Sequence, residues 1–433
     1  MSRIKPRLLK GFRDYMPANM LPKQRMLNQI AETFESYGFS PLQTPALEYS
    51  ECLLGKYGDE GDKLLYRFRD NGDRDVSMRY DLTVPLARVI GMNGQLTKPF
   101  KRYQIAPVWR AEKPGRGRFR EFMQCDIDIV GVADLMADAE CLAVGCSVLE
   151  KLNVGDFVIR INNRKLLTAM LARFGIEEGA HALGVLRTID KLPKIGEAKV
   201  RTLLTTENGL NTNAADGIFE FLALSPEAVS GWFEGDPIGE SGAHELNEVL
   251  AMAAELGVSD RVEVDLSIAR GLDYYTGTIY ETFLKADESL GSVMSGGRYN
   301  GLLSMFGGAE TPAVGISIGV DRLFYGLMEL GIIEAKSSPS DLLVGVFSEA
   351  ERALSYKVAT MLRTAGINAE IYPGSPRMKK QLQYAHRQGI PYVVLVGKSE
   401  FERNEVIVKT METGDQENIS LDAIIDRFGG EKL

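Results

Sequence analysis

Polar and apolar residues alternate with the period of a strand in three stretches of this chain. Along residues 100–110, Arg102, Gln104 and Arg110 fall on one side and Tyr103, Ile105 and Trp109 on the other. Past the loop KPGRGR at 113–118, Met123, Cys125, Ile127 and Ile129 alternate with Gln124, Asp126 and Asp128. Burying the apolar side of that strand forces an amide and two carboxylates onto the other side. A solvated outer face gives the same pattern, but arginines and acids converging on one hairpin favour a site. In the third stretch, Val262, Val264, Leu266 and Ile268 alternate with Glu263, Asp265 and Ser267, which brings Arg270 to a strand end.

Helical spacing takes over elsewhere. Met26, Leu27, Ile30, Ala31 and Phe34 form one stripe of a helix predicted over 22–38. Further helices are predicted over 82–90, 135–152 and 164–174. Residues 39–49 read as a strand broken by prolines, suited to an edge or to an interface between copies. The tetrad Asp70, Asn71, Gly72, Asp73 reads as the turn of a hairpin between 66–68 and 76–79. Residues 332–341 form a Ser-rich linker. Beyond it strands and helices alternate over 342–433, which implies a small α/β domain.

Length and charge narrow these readings. A chain of 433 residues, 45% hydrophobic and 25% charged, carries two to four domains. No apolar run reaches the ~18 residues of a membrane span and the start lacks a signal-peptide core, so a soluble cytoplasmic protein is expected. Cys52, Cys125, Cys141 and Cys146 show no metal-binding spacing and read as small buried hydrophobes; no protein metal site is expected. The net charge of −9 argues against indiscriminate coating of nucleic acid. Locally, though, Lys101, Arg102, Arg110, Lys113, Arg116, Arg118 and Arg120 face only Glu112, so anions should bind there.

Several peptides then carry a resemblance. RGLDYY at 270–275 with its following TGTIYE, the hairpin with WRAE at 109–112 and GRFREF at 117–122, SGGRYNGL at 295–302 and TPAVGISIGVDRL at 311–323 together resemble the histidyl-tRNA synthetases, class II enzymes, from residue 11 to about 428. The resemblance implies an α+β catalytic domain, an antiparallel sheet with flanking helices, over 1–152 and 261–331. It implies a mostly helical insertion domain over 153–260 and an anticodon-binding domain over 342–433. Arg110 and Arg270 would be catalytic. Arg110 would hold both the amino-acid carboxylate and the α-phosphate of ATP, Phe122 would stack on adenine, and Glu112, Arg118 and Arg322 would contact ATP. Histidine would lie among Asp81, Thr83, Arg110, Gln124, Asp128, Arg270, Tyr274, Tyr275 and Tyr299. Arg116 would reach the acceptor end of tRNA(His), and Arg377 and Lys380, with Lys379, Tyr384 and Arg387, would meet its anticodon.

Plainer roles stand beside these. Asp81 or Thr83 would equally cap the helix that follows, and Arg322 or the C-terminal cations would serve as ordinary helix-surface charges. Two positions depart from the family pattern: Asn300 replaces an aspartate and Asp321 a glutamate. The chemistry is coherent nonetheless. Guanidinium groups stay ionised and offer forked donors to carboxylate and phosphate, with Mg2+ on the phosphates. A polar pocket rejects analogues that leave its groups unpaired. The expected activity is ATP-dependent activation of histidine and its transfer to tRNA(His) by a homodimer joined near Pro45. The alternatives are a histidine-sensing regulatory paralogue of a biosynthetic phosphoribosyltransferase and a non-catalytic tRNA-binding sensor.

Overall fold

The alternating stretches become neighbouring strands of one sheet. The computed structural model describes residues 4–269, 274–307, 310–374 and 377–429; Arg270 therefore lies outside the described residues. The chain divides into two compact units, one made of the residues up to Arg13 with Met26–Ile333, the other of Asp14–Arg25 with the residues from Glu334.

In the first unit the strands are β1 (Ser40–Pro41), β2 (Leu47–Tyr49), β3 (Arg67–Arg69), β4 (Asp75–Met78), β5 (Phe100–Trp109), β6 (Glu121–Val130), β7 (Phe157–Asn163), β8 (Val262–Val264), β9 (Thr278–Leu284), β10 (Met294–Arg298) and β11 (Ala313–Gly319). Eight of them form a sheet in the order β1-β5-β6-β11-β10-β9-β7-β8, antiparallel except at its two edges, while β2-β4-β3 form a small separate sheet. Ile105, Cys125, Ile318 and Met294 lie side by side across the large sheet, backed by helix Met136–Lys151. On the opposite face a row of polar residues runs Gln104, Asp126, Ser317, Ser295, Glu281, Arg160. The residues of β6 on that face are not solvated: Gln124, Asp126 and Asp128 are all buried.

Several local expectations shift. The first helix runs Pro17–Ser36, because Pro17 rather than Pro22 takes the first helical position, where a missing N–H costs nothing. Strand β8 ends at Val264. Asp265 turns the chain by accepting the N–H and the hydroxyl of Ser267, while the Asn162 amide bonds the carbonyls of Leu266 and Ile268. The glycines of SGGRY lie inside strand β10. The helices between Arg164 and Glu255, as expected for this segment, dominate residues 164–255, which belong to the first unit.

The second unit holds β12 (Leu342–Val344), β13 (Ala369–Ile371), β14 (Tyr392–Leu395), β15 (Glu405–Thr410) and β16 (Gln416–Ser420), ordered β13-β12-β14-β15-β16. The first three are parallel and the last two are added antiparallel. Helices Arg352–Thr364, Met378–Gln388 and Leu421–Gly429 accompany them. Ser338 and Ser340, in the expected linker, are buried in this unit.

The strand glycines have a steric reason that can be tested. A Cβ on Gly296 would sit 2.1 Å from the Gly315 carbonyl oxygen and 2.7 Å from Ile316 Cα, backbone atoms that cannot step aside. Gly296→Ala should therefore destabilise the first unit by about 2–3 kcal/mol. Gly301→Ala, where the methyl meets nothing within 4 Å, should leave the melting temperature in place. Equal melting temperatures for the two variants would contradict the packing argument.

Candidate active site

Three buried carboxylates and four tyrosines, three of them buried and Tyr275 half-buried, make one hollow on the polar face of the large sheet. Asp81 precedes helix Thr83–Met92. Its Oδ1 accepts the Val84 N–H at 3.2 Å and the Tyr57 hydroxyl at 2.9 Å, and its Oδ2 accepts the Tyr274 hydroxyl at 3.2 Å. The helix-capping role is thus filled, and Thr83 stands by the Tyr274 hydroxyl. On β6, Asp128 pairs with Arg102 at 2.5 Å and accepts the Tyr299 hydroxyl. Gln124 donates its amide N–H to Ser317 at 2.6 Å. Tyr275 faces Asp126, Asp128 and Asp81 together.

Glycine carves this space. A Cβ on Gly315 would lie 2.3 Å from Asp128 Oδ1, and one on Gly297 would lie 3.0 Å from the Tyr275 ring. Burial lifts the three acids: Asp81 is raised, Asp126 to about 7 and Asp128 to about 6, with Arg102 opposing the shift at the latter two. The tyrosines are pushed upward for the same reason. The hollow is therefore short of positive charge.

Arginines stand at its mouth. Arg110 follows β5, donates to the Tyr80 carbonyl at 3.1 Å, and lies over the rings of Tyr80 at 4.3 Å and Phe122 at 5.2 Å. It is close enough to pull down the Asp81 carboxyl. The loop of the hairpin is folded on ion pairs. Arg118 meets Glu112 at 3.4 Å, and Arg116 meets Asp287 at 2.6 Å and Glu329 at 2.5 Å. Arg116, expected at the tRNA acceptor end, is thus engaged with acids in this structure. Arg322, in the first turn of helix Val320–Glu329, lies under the same loop. It donates to the Ser292 carbonyl, and its Cγ is 3.3 Å from where a Cβ on Gly117 would be. Asp321 beside it takes the Met123 N–H at 2.5 Å and pairs with Arg13 at 2.9 Å, so the shorter acid still spans both partners. Asn300 donates its backbone N–H to Thr276 at 3.1 Å.

Arg110, Asp81, Thr83, Gln124, Asp128, Tyr274, Tyr275 and Tyr299 thus meet at one place, with Glu112, Arg118, Phe122 and Arg322 at the same end of the sheet. Sequence reasoning missed Arg102, Asp126 and Tyr57. The signal for the first two was available, since both lie on the polar side of their strands with Gln104, Gln124 and Asp128. In the second unit, Arg377, Lys379 and Lys380 are exposed at the start of helix Met378–Gln388. An open hollow of about 570 Å³ beside that helix is lined by Met378, Lys379, Leu382, Gln383, His386 and Arg387.

Buried acids and tyrosines gathered beside arginines on an antiparallel sheet, with a second small α/β unit, are the plan of a class II aminoacyl-tRNA synthetase. The family models agree: histidyl-tRNA synthetase matches residues 11–323 and anticodon binding domain matches residues 341–430. The histidine–tRNA ligase of Rhodopirellula baltica is 42% identical and that of Wolinella succinogenes 44%, with at least 97% of each chain covered. The crystal structure of histidyl-tRNA synthetase from Nostoc sp. aligns with a TM-score of 0.87 at 35% identity, over 98% of this chain and 100% of that one. This chain belongs to the histidyl-tRNA synthetase family. It has the fold and the full-length resemblance of the ligases, which favours the ligase over the regulatory paralogue.

The raised acids give a pH dependence with a definite sign. Asp126 binds its proton more tightly in the folded chain than at the ordinary value of 3.8. Its contribution to stability is therefore complete below about pH 4 and is lost as pH rises through about 7. Asp126→Asn, which does not ionise, should escape that loss. Without ligand, its melting temperature relative to the parent should climb between about pH 4 and about pH 8. A difference that stays flat across that window would contradict the burial of an ionisable carboxyl here.

Proposed function

We propose that the hollow binds histidine and that Arg110 and Arg322, with Arg270, steer its carboxylate against the α-phosphate of ATP. The observation that supports this most is the meeting, at one end of one sheet, of guanidinium groups with a buried acid-lined pocket. The pocket suits the ligand: the carboxylates offer charge to an ammonium group, and tyrosine hydroxyls and acid oxygens offer both partners that a neutral imidazole requires. The guanidinium groups suit the reaction. They stay ionised, and Arg110 is already oriented by the Tyr80 carbonyl, so little reorganisation is needed as charge grows on the phosphate. Phe122, half-buried against Leu82, Ala106 and Val108, offers a flat face to adenine. ATP enters as its magnesium complex, with Glu112 and Arg118 beside the phosphates. The histidyl group then passes to the terminal adenosine of tRNA(His). The exposed cations of helix Met378–Gln388 and the hollow beside it would meet the anticodon end, and the protein would work in the cytoplasm.

Histidine-dependent exchange of radiolabelled pyrophosphate into ATP tests the reading. The parent should exchange, and Arg110→Ala should lose on the order of 10²–10³ in rate while keeping its melting temperature. Arg270→Ala should fall comparably. A parent without exchange would favour the non-catalytic tRNA-binding sensor.

The small sheet supports a homodimer. Leu47, Tyr49 and Phe68 are 44%, 52% and 45% exposed on it, an apolar face that a second copy would cover. Combining Leu47→Asp with Phe68→Asp should convert a dimer to a monomer in sedimentation. An unchanged dimer mass would place the interface elsewhere.

A further inference from the structure

Building on the reading that the hollow takes histidine, we infer that Asp126 is a specificity residue that accepts a hydrogen bond from the imidazole N–H. The inference starts from which acid oxygens are already in use. Both oxygens of Asp81 are bonded, to Tyr57 and Val84 on one side and Tyr274 on the other. Asp128 accepts the Tyr299 hydroxyl on Oδ1, and its Oδ2, although without a hydrogen bond, is ion-paired with Arg102. Asp126 differs: it is 2% exposed, and its Oδ1 is buried with no hydrogen-bond partner among the described residues. Leaving a carboxylate oxygen buried and unpaired is costly, so the site is complete only with a donor from elsewhere.

The position fits that donor. Asp126 lies opposite Gln104 on one side and Ser317 on the other, in the row that floors the hollow. It faces Tyr275, as Asp128 does. The buried atoms near it without a hydrogen bond are of both kinds, the acceptors Asp126 Oδ1, Gln124 Oε1 and the ion-paired Asp128 Oδ2, and the donors Arg102 Nε and Nη1. A neutral imidazole likewise presents one N–H and one bare nitrogen.

A merely structural role accounts for Asp126 poorly. Arg102 already has a counter-ion in Asp128 at 2.5 Å. A second carboxylate two residues along the same face repels the first and is itself desolvated. Asparagine or serine would fill the place at less cost if packing were the only demand, whereas a ligand N–H turns the extra acid into a partner.

The test compares the parent with Asp126→Asn and Asp126→Ala in histidine-dependent pyrophosphate exchange, with ATP and histidine varied in turn. Losing a hydrogen bond to a charged group should raise KM for histidine roughly 10- to 100-fold. Alanine should be affected more than asparagine, which keeps a carbonyl acceptor. KM for ATP and kcat should stay within about 3-fold. The parent should also prefer histidine to one of its two ring-N-methyl isomers, and Asp126→Ala should shrink that preference. If the alanine variant does not fold, Asp126→Asn carries the test by the same two readouts, the KM for histidine and the preference between the ring-N-methyl isomers. Exchange in the parent with an unchanged histidine KM in the variants overturns the role of Asp126 and leaves the ligase reading standing. So does a parallel rise in both KM values. Absence of exchange in the parent removes both.

Discussion

A single guanidinium makes the interior of this sheet tenable. Arg102 has no exposed side-chain surface, pairs with Asp128 on the neighbouring strand and donates to the Leu82 carbonyl at 3.2 Å. It therefore ties β5 to β6 and to the turn that launches helix Thr83–Met92. Asp128 passes the constraint on, through the Tyr299 hydroxyl, to the chain leaving β10. Removing one member of such a buried pair commonly costs about 3–5 kcal/mol, because the survivor is left charged and unsolvated. Asp81, Asp126 and Asp128 can share one hollow because this cation lies at its floor and Arg110 at its mouth.

A second ion pair fixes the other side of the same strand. Residues alternate along β10, so Arg298 points away from the hollow while Tyr299 points toward it. Arg298 meets Asp138 in the first turn of helix Met136–Lys151 and donates to the carbonyls of Val132 at 3.0 Å and Asp134 at 3.1 Å. Burial raises the Asp138 carboxyl and the arginine pulls it back down. The consecutive residues Arg298 and Tyr299 thus lock the strand to the helical layer and to the pocket, and the two glycines before them let neighbouring backbones close around it. The peptide GGRY reads as one device: close approach, anchor below, wall above.

How far the sequence foretold this depended on whether each feature has a period. Strands β5 and β6 were legible because burial on one face imposes strict alternation, and the polar side named Arg102 and Asp126 along with Gln104, Gln124 and Asp128. Those two were not singled out, because their function lies in pairing across strands, which no spacing along the chain records. Tyr57 is a stronger case: it reaches Asp81 from an irregular segment with no pattern. Strand β16, of sequence QENIS, has hardly an apolar residue because it is an edge strand paired on one side only. Asp265 broke the pattern of residues 262–268 through a side-chain hydrogen bond that competes with the ladder. The family resemblance supplied the roles of Arg110, Phe122 and Arg322, which alternation alone would have left as ordinary surface charge and packing.

The loop between β5 and β6 is held by exposed charges. Arg116 lies against Asp287, Glu329 and Ser289, with its side chain 44% exposed. Exposed ion pairs contribute little, since water and salt already screen the charges. A phosphate offers the same arginine a forked, doubly charged partner. Contacts of this strength hold the loop in one place and yield readily to an anionic ligand, unlike the buried pair at Arg102. The molecule therefore places its strong electrostatics where the pocket must not change and its weak electrostatics on an exposed loop.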